Sequence, residues 1–98
     1  MYRITISDND FWFLIEETLN YACTCFNIYQ KNCDYKKSGA ETLMEIFSEY
    51  FDAMHIEKNT KEYILENLDI KVMDSPYEED WDNGEVYYFS GDSFEKIS

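Results

Sequence analysis

Apolar residues recur along this chain in two rhythms, one of helical and one of strand period, and the changes between them mark out its elements. Tyr2 to Ile6, YRITI, is short and β-rich and predicts a first strand. Ser7 is placed to cap the helix that follows, with Asp8 and Asp10 in a first turn where the helix dipole favours anions. That helix runs from about Asn9 to Tyr29 or a little beyond. Phe11, Ile15, Leu19, Ala22, Phe26 and Tyr29 form its apolar face, and Leu14, Tyr21, Cys25 and Ile28 widen it. So broad a face predicts the most buried helix of the fold.

Lys31 to Lys37 is a polar connection, and a second helix begins beyond it. Ser38 caps that helix, with Glu41 three residues later in a capping-box pattern. Leu43, Ile46, Phe47, Tyr50, Phe51 and Met54 share one side of it, and its end is expected near His55 or Ile56. A shorter helix from Lys61 to Leu68 follows Asn59-Thr60, with Tyr63, Ile64 and Leu68 inward and Glu62 and Glu66 outward. The alternation in Ile70-Lys71-Val72-Met73 predicts a second strand. Asn83-Gly84 is a hairpin signal that would pair Tyr77–Asp82 with Glu85–Ser90, and Gly91-Asp92 is a second turn leading to Ser93–Ile97. The expected fold is one α+β domain. It has a short N-terminal strand, two long helices and a short one, and a C-terminal antiparallel β-meander packed against the helices.

Charge changes this picture more than composition does. The chain of 98 residues has 45% apolar and 18% aromatic residues, enough for a core and too many for a disordered acidic tail. Its 21 acids against 8 basic residues leave a net charge of −13, beyond the range of about 2–8 that solubility alone asks for. A field of that sign speeds encounter with a basic partner and disfavours direct contact with nucleic acid or an anionic membrane. The acids are also placed with a pattern. Glu41, Glu45, Glu49 and Asp52 fall in one stripe opposite the apolar side of the second helix, and no Lys or Arg occurs between Ser38 and Glu57. Acids four apart repel by about 0.2–0.5 kcal/mol per pair, so a helix tuned for stability alone would interleave Lys. Four helical residues rise about 6 Å, a step similar to that between phosphates along a nucleic-acid strand. From Asp74 to Glu85 there are six acids and no base, with Tyr77 and Trp81 among Asp74, Glu78, Glu79, Asp80, Asp82 and Glu85. Aromatic anchors ringed by charge are what an interface hot spot is made of. A solvated helix face and a charged edge hairpin would produce the same two patterns without a partner.

Other chemistry is thin. Asp80 to Glu85 fails as a calcium loop, because Gly84 comes one position early and no Glu closes the loop. Cys23 and Cys25, two apart on a helix, point to nearly opposite sides, which suits buried free thiols rather than zinc ligands; with Cys33 they make no disulfide framework. His55, near a helix C-terminus, reads as structural. No nucleophile elbow or phosphate-cradling glycine loop is present, so neither enzyme nor cofactor is expected. No apolar run is long enough to span a membrane, no signal peptide precedes the first strand, and a reducing cytosol is expected.

In size, charge pattern and lack of catalytic motif the chain resembles the small acidic DNA-mimic proteins of phages and mobile elements, including anti-CRISPR and anti-restriction inhibitors. That resemblance implies a stoichiometric inhibitor, a monomer or small homo-oligomer, acting in a bacterial host cytosol. Its partner would be a basic nucleic-acid-binding nuclease or effector, bound in place of nucleic acid. An immunity protein or antitoxin against a toxin nuclease would be built on the same physics. An acidic adaptor subunit would instead expose a contiguous apolar patch.

Overall fold

A computed structural model describes residues 2–7, 9–32, 38–72 and 85–96. Strand β1 (Tyr2–Ile6) leads through a 3-10 turn (Asn9–Phe11) into α1 (Trp12–Asn32). Two further helices, α2 (Gly39–Ala53) and α3 (Lys58–Glu66), precede β2 (Leu68–Val72), and β3 (Glu85–Phe89) and β4 (Phe94–Lys96) follow. The strands form one antiparallel-paired sheet in the order β2-β1-β3-β4. The architecture is α+β, as the hydrophobic rhythm implies.

The first strand is an inner one. Ile4 lies opposite both Ile70 and Tyr87, and Tyr2 opposite Val72 and Phe89. Strand alternation then sends Ile4, Ile6, Tyr87 and Phe89 to the side where α1 and α2 pack. Their partners there are Ile15, Leu19, Ala22 and Phe26 of α1 and Leu43, Ile46, Phe47 and Phe51 of α2. Each Ile, Leu or Phe side chain among them contributes about 1.5–3 kcal/mol on removal from water. Phe26 and Phe89 meet edge to face at 5.2 Å, and Tyr2 closes the cluster at 5.7 Å from Phe26. Tyr2 also explains Gly39 at the start of α2: a Cβ there would lie 1.6 Å from the Tyr2 hydroxyl oxygen. On the reverse side of the sheet Arg3, Thr5, Val86 and Tyr88 are also buried.

The helix ends follow local chemistry. Ser38 Oγ accepts from the Glu41 N–H at 3.2 Å, as the capping pattern requires. α2 ends two residues earlier than expected, at Ala53, in a Schellman turn. The His55 N–H donates to the Asp52 carbonyl and the Ile56 N–H to the Phe51 carbonyl. His55 sits there at φ 60°, a conformation normally given to glycine. Gly91, at φ 107°, makes the turn between β3 and β4.

Ser7 makes a tertiary contact besides: its hydroxyl donates to Asn67 Oδ1 at 3.1 Å and ties the end of β1 to the α3–β2 turn. Several local expectations are corrected. α1 is not the most buried helix, since α2 buries five residues in fifteen and α1 five in twenty-one. Tyr21 and Ile28 do not widen the buried face of α1; both are exposed. Thr18 is buried in their stead, its hydroxyl satisfied by the Leu14 carbonyl at 2.7 Å. α3 starts at Lys58, Tyr63 is exposed beside Phe11, and Leu68 opens β2 rather than closing the helix. β3 pairs with β1 along one edge and β4 along the other, so its ladder partners are not those of an Asn83-Gly84 hairpin. Tyr77–Asp82 itself lies outside the described residues.

Candidate functional site

The acidic surface starts from the inner side of α2. Leu43, Ile46, Phe47 and Phe51 are fully buried, which fixes the rotation of the helix and turns Glu41, Glu45, Glu49 and Asp52 outward. Glu41, Glu49 and Asp52 are exposed and Glu45 is half-buried. From Glu41 to Asp52 the stripe runs about 16 Å along the helix. The expected stripe is therefore real as geometry.

It is not bare. Lys61 of α3 reaches Asp52 Oδ1 at 2.7 Å, and the Tyr29 hydroxyl of α1 donates to Glu49 Oε2 at 2.5 Å. The expectation of four unpaired acids fails at Asp52, because its counter-ion comes from the next helix. The pairing has a local cause. Asp52 stands in the last turn of α2, where the dipole disfavours an anion and α2 has no base of its own. Tyr29 acts differently. It orients Glu49 without neutralising it, and that hydrogen bond, with burial and Tyr21 behind it, pushes the Tyr29 hydroxyl far above its ordinary pKa.

Aromatic rings border the stripe where sequence reasoning did not look for them. Tyr21 of α1 stacks on Tyr50 of α2 at 4.9 Å, and Tyr50 is the α2 neighbour of Glu49, which Tyr29 contacts. Tyr21 reads as a core residue from its spacing, yet it is 38% exposed on the α1–α2 seam. A signal was present in the spacing of Tyr21, Cys25 and Tyr29, which places all three on one side of α1. Nothing local showed that α2 would lie beside them.

The second acidic stretch is different. Asp74, Tyr77, Glu78, Glu79, Asp80, Trp81 and Asp82 lie outside the described residues. Glu85 opens β3, opposite Ile6 of β1. Cys33 is also outside. Cys23 and Cys25 are half-buried free thiols turned to different neighbours, Asp92 for one and Tyr21 and Glu49 for the other. Burial pushes both thiols up, which lowers their reactivity as thiolates. Among the described residues no three His, Cys, Asp or Glu side chains gather as a metal site, and no helix is long and apolar enough to cross a membrane.

Comparison of the chain with protein-family models, with curated proteins and with solved structures finds no match.

Proposed function

We propose that this protein is an acidic stoichiometric inhibitor that occupies the positively charged nucleic-acid groove of a bacterial defence nuclease or effector. The observation that carries this is the outer side of α2. Four carboxylates lie along one helical line, rotated outward by a fully buried apolar side and bordered by Tyr21, Tyr29 and Tyr50. The charge balance supports it independently: if each of the 8 basic residues neutralised one acid, 13 of the 21 would remain. Lys61 and Tyr29 hold Asp52 and Glu49 in fixed positions, so less side-chain freedom is lost when a partner's Arg or Lys binds beside them. In this role the chain performs no catalysis, needs no cofactor and works in the bacterial host cytosol.

The test is titration of the protein into purified bacterial DNA-binding nucleases while DNA binding and cleavage are followed. A true target loses DNA binding at one equivalent, regains it with excess DNA, and binds the protein less tightly as salt rises. A complex insensitive to salt, or inhibition that excess DNA does not relieve, would overturn the proposal.

A further inference from the structure

The outward side of α1 is unlike the rest of this acidic molecule. The helix contains only three charged residues, Glu16, Glu17 and Lys31, in twenty-one. Glu16 turns toward the sheet, where it accepts from the Tyr87 hydroxyl at 3.2 Å. The outward line therefore holds one acid and one base. Glu17 lies seven residues before Thr24 and Lys31 seven residues after it, on nearly the same side of the helix. Beside them Phe13 and Ile28 are 56% and 58% exposed. Thr24, at the midpoint, can be covered without leaving a donor unsatisfied, because its hydroxyl already donates to the Tyr21 carbonyl at 2.6 Å.

We infer that this side of α1 is a homodimer interface in which two copies pair α1 antiparallel about a two-fold axis at Thr24. In that arrangement Glu17 of each copy faces Lys31 of the other, about 10 Å on either side of the axis. The charge pattern is self-complementary, as an isologous contact requires. A seven-residue spacing also keeps Glu17, Thr24 and Lys31 on one seam of a helix pair crossing at a shallow angle. A second copy is favoured over a basic partner because a base-rich surface would find no cluster of acids here. It is favoured over an acidic one because the outward charge of this side sums to zero. The inference stands independently of the inhibitor role.

A single helix on each side makes a small interface, so the dimer is weak and concentration-dependent. The test is sedimentation velocity of the full chain over a wide concentration range, from about 5 to 500 µM. Reversible dimerisation is expected, strengthening as salt screens the repulsion between two bodies of charge −13. Glu17→Lys alone and Lys31→Glu alone each create two like-charge contacts across the axis and weaken the dimer at least about tenfold. The double variant Glu17→Lys/Lys31→Glu restores it to within about threefold. Ile28→Asp, with circular dichroism confirming the fold, also abolishes it. A chain that stays monomeric throughout, or a dimer indifferent to the single reversals and to Ile28→Asp, would overturn the inference and leave this side of α1 to a different protein or to solvent.

Discussion

α1 and α2 lie side by side over the same sheet and bury the same kind of apolar residues, yet their outer sides are opposites. α2 shows four acids and no base in fifteen residues; the outer side of α1 shows one of each, with exposed Phe13 and Ile28. A charge excess meant only for solubility would coat both helices alike, since either outer side can hold Glu at a cost of tenths of a kcal/mol. The contrast shows that negative charge here is distributed by position, gathered on the outer side of α2 and sparse on that of α1.

The largest expected effect tests whether the two sides of α2 have separate jobs. Phe47→Ala should lose about 3–5 kcal/mol of unfolding free energy in a denaturant titration, because it empties a fully buried site. Glu41→Lys with Glu45→Lys should lose less than about 1 kcal/mol and still weaken binding to a cationic target at least about tenfold. If that pair melts the protein as the core variant does, the stripe is structural and the contrast between the helices collapses. Salt sharpens the contrast from the other direction. Raising it from about 50 to 500 mM, which shortens the screening length severalfold, should weaken the α2 complex and strengthen α1 self-association. A common direction for both would merge the two surfaces into one.

Smaller effects examine how α2 is held. His55→Gly should raise stability by about 0.5–1 kcal/mol in thermal melts by relieving the positive φ that ends the helix. Lys61→Ala should cost at most about 1 kcal/mol, since the pair with Asp52 is partly solvated. Tyr29→Phe should cost only a few tenths of a kcal/mol near neutrality. Its alkaline behaviour tells more. The Tyr29 pKa is raised in the folded state by the hydrogen bond to Glu49, so the stabilisation is complete below the ordinary value of about 10 and declines as pH climbs above it. Unfolding curves above that pH should therefore fall more steeply for the natural chain than for Tyr29→Phe.

The elements were legible because their signals are local. Ser38 and Glu41 announced the start of α2, and the spacing from Leu43 to Phe51 gave its inner side, because capping and periodicity act within one or two turns. The errors fall where a second element decides. Tyr21 and Ile28 have core spacing, but α2 meets Tyr21 only through Tyr50 and leaves it partly exposed, and Ile28 stays open. Asp52 looked unpaired because its counter-ion waits nine residues later on another helix. The hairpin signal at Asn83-Gly84 described a local pairing, whereas β3 takes β1 and β4 as neighbours.

By itself the sequence determined the α+β class, the rotation of α2 and the size of the charge excess. Hydrophobic period, caps and ionisable groups are properties of short stretches or of the whole composition. Only the tertiary structure decided that β1 lies inside the sheet, that Lys61 and Tyr29 hold two of the acids, and that α1 presents a nearly neutral outer side. Each of those depends on which elements become neighbours, and that is set by burying all the apolar sides at once.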